Sequence, residues 1–193
     1  MKYIKASGLP FDPRPQMSRI FVECFHDHGL KSLCKDKAKL TKAMAHIFHL
    51  EHFYVALDGE KIAGFVGCVD KKPPPISLDR KILRREMGFV RGTITYFALN
   101  YAIINKPYPF AQPPQSGSIE FVATAPEYQG RGVAFGLLSH VMEIMPYSKY
   151  VLEVVGINAV AIRLYEKLGF AEFMRTPAPK QSGLGHFVYM RKI

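Results

Sequence analysis

Over its last third the chain alternates strand-like and helix-like stretches at short intervals, and this constrains the fold more than any other feature. Residues 118–124 read as an apolar strand, and residues 130–145 as a helix stopped by Pro146. Residues 150–155 are valine-rich and read as a strand. Residues 158–168 read as a helix ended by Gly169, and residues 170–174 and 185–190 as two more strands. Strand, helix, strand, helix, strand, strand requires a mixed sheet with helices packed on it.

The earlier part supplies further strands. Residues 2–6 alternate as an edge strand would. Pro13 or Pro15 opens a helix expected to run to about His28 and to close at Gly29. A second helix is expected over residues 32–50, where apolar residues recur at helical spacing between lysines. Residues 52–57 and 61–69, joined across Asp58-Gly59-Glu60, predict a β-hairpin. Pro73-Pro74-Pro75 breaks the chain, and Ser77 is expected to cap a basic helical segment reaching about Ile104, weakened at Gly88 and Gly92. Residues 106–116 are proline-rich and predict a loop.

The 193 residues suit one domain spanning 1–193, with a helical and proline-rich insertion at about 71–116. Neither a signal peptide nor a membrane-spanning run is expected: residues 1–5 are charged and lack a signal peptide's apolar stretch, and the apolar run 93–104 is too short and carries Asn100. The expected compartment is the cytoplasm. Cys24, Cys34 and Cys68 have no metal-ligand spacing, so no metal is expected, and Cys68 reads as a packing residue. The formal charge of +10 attracts anions, whether nucleic acid, membrane phosphates or a polyphosphate cofactor. No helix-turn-helix, zinc or aromatic-platform pattern accompanies the charges, which argues against a nucleic-acid partner.

The strand over 118–124 enters its helix through Gln129-Gly130-Arg131-Gly132-Val133-Ala134. The first amides of a helix lack intrahelical partners, and the dipole there is positive. Glycine lets an anion approach those amides closely, and Arg131 adds a formal charge, so a pyrophosphate suits the bend. The lysine and hydroxyl of a P-loop and the full dinucleotide fingerprint are both missing. On its own the bend is equally a tight turn for close helix packing. Further along, Asn158 suits an N-cap, and Tyr165 follows two turns later on the same helix side. Alone, Asn158 need only cap, and Tyr165 need only fill the core.

Together the two segments resemble the GNAT N-acetyltransferases. Gln129, Gly132 and Ala134 match that family's acetyl-CoA signature, with alanine for the second glycine. Asn158, Tyr165 and Leu168-Gly169-Phe170 match its asparagine-to-tyrosine helix. The resemblance covers about residues 118–174. It implies an α/β fold with a central, mostly antiparallel sheet of about six to seven strands flanked by helices and splayed between the fourth and fifth strands. It also implies acetyl-CoA as cosubstrate. The pantetheine arm would pair with backbone of Val122, Ala123 and Thr124, and the pyrophosphate would sit on amides of Gln129 to Ala134, with Asn158 and Tyr165 beside the thioester. An amine would attack the thioester carbonyl, polarised by the amide near Val122, and Tyr165 would protonate the departing thiolate.

The attacking amine must lose a proton. Glu120 is the first candidate base, sharing the alternation of Val122, and Glu153 the second, five residues before Asn158. His52 and His186 are further titratable groups that no pattern singles out. The implied partners are acetyl-CoA and a small-molecule or peptide amine, without nucleic acid or membrane, and a homodimer is compatible with the sequence. The competing reading is a non-catalytic acyl-CoA sensor or partner-docking domain.

Overall fold

The computed structural model describes residues 1–70, 74–179 and 183–193. The expected first residues of the 71–116 segment, Lys71 to Pro73, lie outside them.

Strand β1 (Lys2–Lys5) is followed by helix α1 (Arg14–Phe25), opened at Pro13 with Pro15 in its first turn. The chain does not stop at Gly29. It continues through a wide helical turn at residues 26–30 into α2 (Lys31–Leu33), because Gly29 adopts φ 132 within that turn instead of capping it. Cys34 is extended, and Asp36 accepts from the Lys39 amide at 3.0 Å to start α3 (Lys37–Met44). The expected helix over 32–50 is therefore shorter. A capping aspartate inside a continuous apolar pattern begins a new helix.

The hairpin forms as expected from β2 (Phe53–Asp58) and β3 (Lys61–Val69). Helix α4 (Arg80–Met87) is capped by Asp79, whose side chain accepts from Lys81 and Ile82 amides, and not by Ser77. Gly88 at φ 86 separates it from α5 (Phe89–Leu99). Gly92 is no weak point. A Cβ there would run into the Leu83 carbonyl, so its role is the close crossing of α4 and α5. Leu83, Met87 and Leu99 join the main core, and α4 also packs on α3. After a wide turn at residues 100–104 and a loop come β4 (Ser116–Thr124), α6 (Val133–Ile144), β5 (Lys149–Val155), α7 (Ala159–Lys167), β6 (Ala171–Pro177) and β7 (His186–Lys192).

The strands form one seven-stranded sheet in the order β1-β2-β3-β4-β5-β7-β6. All neighbours are antiparallel except β4 and β5. Aromatic rings of Phe21, Phe48, Phe53 and Phe65 interlock edge to face and tie α1 to β2 and β3. All three cysteines are free. Cys68 is buried, and burial pushes its thiol up to about 12, which leaves it a packing group. None of the described helices is long and apolar enough to cross a membrane.

Candidate active site

β4 and β5 pair only from Ser116–Lys149 to Ile119–Leu152, although both strands continue. The parting begins where β4 carries an extra residue. Gly67 opposes Glu120 while Phe65 opposes Ala123, so two steps along β3 match three along β4. Phe121 takes φ 52, an uncommon conformation for an aromatic residue. Its ring is gripped by α1, 5.9 Å from Phe21 and 6.4 Å from Phe25. Such strain costs roughly 1–3 kcal/mol and persists only where packing enforces it.

The gap is a cavity of about 230 Å³. Glu120, Phe121 and Val122 line one side, Glu153 to Val155 the other, with Asn158 and Tyr165 at its edge. Strict alternation, which linked Glu120 to Val122, fails at the bulge: consecutive residues from Ile119 to Val122 all border the cleft.

Asn158 caps α7, accepting from the Ala161 amide at 3.1 Å. Tyr165 lines the cleft from that helix, and its ring is buried. No described residue hydrogen-bonds its hydroxyl. Burial raises its pKa above the ordinary tyrosine value of about 10, so the phenol keeps its proton at neutral pH.

The two carboxylates are held differently. Glu153 receives Lys106 Nζ at 2.6 Å on both oxygens, and the same ammonium lies 3.5 Å from the Phe187 ring centroid. Glu120 accepts from the Tyr108 hydroxyl at 2.9 Å. Ser118 Oγ donates to Tyr108 at 3.2 Å, and Gln112 Nε2 donates to Ser118 at 2.8 Å. Burial, then the nearby Glu120 charge, raises the Tyr108 pKa, which fixes it as a proton-bearing donor. In the sequence the proline- and aromatic-rich run 107–110 suggests an apolar wall near an opening, which includes Tyr108 but not its hydroxyl's bond to Glu120. Nothing local separates Lys106 from its neighbours as a site residue. The loop is anchored by Tyr108 and Phe110, which pack against Tyr189, with Phe110 also on Phe173. The histidines lie apart. His52 lines a different cavity with Tyr54 and Tyr147, and His186 lies against Gly156.

At the end of β4 the chain turns through residues 126–128 into the glycine bend. Gly130 and Gly132 have φ 74 and 76, and no side chain caps α6. A Cβ built on either glycine meets nothing within 4 Å, so the bend is open. Val133 is buried beneath it, while Gln129, Gly130, Arg131 and Gly132 are exposed and Ala134 is half-buried. Gly64 permits this seating, since a Cβ there would lie 2.7 Å from the Ala123 carbonyl and 3.3 Å from Val133. The Thr124 carbonyl accepts from Gln129 Nε2 and Cys24 Sγ, each at 3.3 Å. Arg131 stands over the Tyr128 ring at 5.6 Å. Unpaired first-turn amides, a positive dipole end and no covering side chain fit a phosphate group. Among the described residues, no cluster of three or more histidine, cysteine or acidic side chains could hold a metal.

A mixed sheet parted at its parallel pair, with a helix opening at a glycine bend beside the gap, defines an acetyltransferase fold. The chain belongs to the Acetyltransferase (GNAT) family, whose sequence profile matches residues 14–170. Among solved structures it is similar to an N-acetyltransferase from Staphylococcus aureus Mu50, at 17% identity and TM-score 0.66, covering 99% of this chain and 100% of that one. A GNAT-family acetyltransferase from Streptococcus agalactiae 2603 matches at 11% identity and TM-score 0.58, over 100% and 94% of the two chains. The ribosomal-protein-S18-alanine N-acetyltransferase from Escherichia coli matches at 16% identity and TM-score 0.54, over 99% and 92%. At these identities the likeness is one of fold. A comparison with curated protein sequences finds no match.

Proposed function

We propose that this chain is an N-acetyltransferase that passes the acetyl group of acetyl-CoA directly to a primary amine, within one domain that includes the 71–116 segment. The observation that carries the reading is the cleft itself: an open amide bend lies at the end of β4, and a buried, protonated phenol lines the gap between β4 and β5.

In this reading the amides of Gln129 to Ala134 hold the pyrophosphate, with Arg131 adding charge. Backbone of Val122, Ala123 and Thr124 lies along the pantetheine arm, as an added strand would. Acetyl-CoA supplies an activated thioester. The Val122 amide is the donor for the thioester oxygen, and such backbone donors contribute about 10²–10³ in rate. Tyr165 holds the proton the thiolate requires, beside the cap at Asn158. Glu120 is the base for the incoming ammonium, whose pKa is about 10. Its described phenol partner carries no formal charge, whereas Glu153 is neutralised by Lys106.

Titration calorimetry with acetyl-CoA, followed by free-thiol release across a panel of primary amines, tests the reading. Saturable binding and amine-dependent thiol release are expected. Absence of binding refutes it, and binding without thiol release from any amine favours a non-catalytic acyl-CoA sensor.

A further inference from the structure

Helix α5 is turned the wrong way for an ordinary surface helix. Its buried side is Gly92, Thr95 and Leu99. The opposite side carries Val90, Ile94 and Phe97, four and three residues apart and so aligned in one stripe, and Tyr101 follows in the wide turn after the helix. Their exposures are 68%, 59%, 59% and 85%, and Phe89 beside them is 69% exposed. Surface helices put polar residues outward, and a contiguous apolar stripe in water marks a contact surface.

Cations border the stripe. Arg84 stands 4.2 Å from the centroid of Phe89 and bonds Thr93 at 2.8 Å. Arg91 is exposed on α5, and Lys81 and Arg85 are exposed on the adjoining α4. Residues 79–101 hold five cations, at 80, 81, 84, 85 and 91, against two acids, Asp79 and Glu86. Asp79 caps α4 and Glu86 pairs with Arg85, and the segment keeps a net charge of +3. A second copy seated on this face would bring like charges together, which disfavours self-pairing. Apolar and aromatic side chains flanked by arginine and lysine suit the boundary between anionic headgroups and acyl chains.

We propose that α5, with the cations of α4, docks this protein on an anionic lipid surface. The sequence expectation of no membrane partner rested on the lack of a spanning run, which does not bear on attachment in the plane of the surface.

The test is co-sedimentation of the full chain with vesicles of phosphatidylcholine alone and of equal parts phosphatidylcholine and phosphatidylglycerol. Binding to the mixed vesicles, weakened by salt and at least tenfold tighter than to phosphatidylcholine, is expected. Ile94→Asp with Phe97→Asp should abolish it, with the thermal transition retained because both side chains face solvent. Arg85→Gln with Arg91→Gln should weaken partition by roughly thirtyfold, the loss expected for two surface cations at about 1 kcal/mol each. Wild-type protein that ignores anionic vesicles overturns the proposal. So does undiminished binding by the aspartate variant, or a wild-type dimer in solution that this variant dissociates.

Discussion

The Phe170 amide donates to the Tyr165 carbonyl at 3.0 Å, and the two rings meet edge to face at 6.0 Å. With Gly169 donating to Glu166 at 2.9 Å and adopting φ 87, this is a Schellman closure of α7. The Leu-Gly-Phe sequence thus seats the phenol: the turn fixes where the helix ends, and the ring after it braces Tyr165. Gly169→Ala should destabilise the fold by about 1 kcal/mol, since alanine resists that backbone conformation. Urea unfolding monitored by circular dichroism measures the loss.

Tyr165→Phe should cut kcat by roughly 10²-fold while leaving acetyl-CoA affinity nearly unchanged, as expected for loss of a general acid. Burial disfavours the phenolate, so the donor persists through and above the ordinary titration range near pH 10. The wild-type kcat–pH profile should therefore show no alkaline fall from this group below about pH 10. Steady-state kinetics and calorimetry on the same samples check both statements.

Gly132→Asp should weaken acetyl-CoA binding at least tenfold by calorimetry. The space around Gly132 is open, so steric overlap with the protein is not the cause. A carboxylate at the positive end of α6 repels phosphate, and φ 76 is tolerated by aspartate better than by most residues. Unchanged affinity would put the pyrophosphate elsewhere.

Glu120→Gln and Glu153→Gln should separate the carboxylates. The first should lower kcat/KM by about 10²-fold, the scale of general-base catalysis. The second leaves Lys106 without its bidentate partner and should cost less than about tenfold. The reverse order would give the base role to Glu153.

The last third of the chain was legible because its strands and helices alternate at short range and carry their own caps at Asn158 and Gly169. The bulge at Phe121 was not, since an extra residue exists only relative to the β3 ladder. Nor was the outward face of α5: residues 93–104 read as one apolar run, and which side meets the core depends on Gly92 fitting against Leu83. The start of α4 was misplaced by two residues because Ser77 and Asp79 both have capping chemistry. In the structure the Ser77 hydroxyl is 2.8 Å from His49 Nε2, leaving the cap to Asp79.

Acid should loosen the α3–α4 contact. His46 Nε2 accepts from the Asp79 amide at 2.9 Å, and burial holds the His46 pKa below its usual value. The folded state favours the neutral ring, so this contribution is complete above about pH 6.5 and is lost as pH falls through the lower folded value. His46→Gln, which does not titrate, should flatten the decline in urea midpoint between about pH 7.5 and 5.

The loop carrying Lys106 and Tyr108 touches both leaves of the parted sheet, Glu120 and Ser118 on β4 and Glu153, Phe187 and Tyr189 on β5 and β7. It works as a clasp across an open book. The bulge in β4 opens the pages, and a stretch of chain outside the sheet bridges them. Trimming or lengthening that stretch would retune which molecules fit between them while every strand stayed in register.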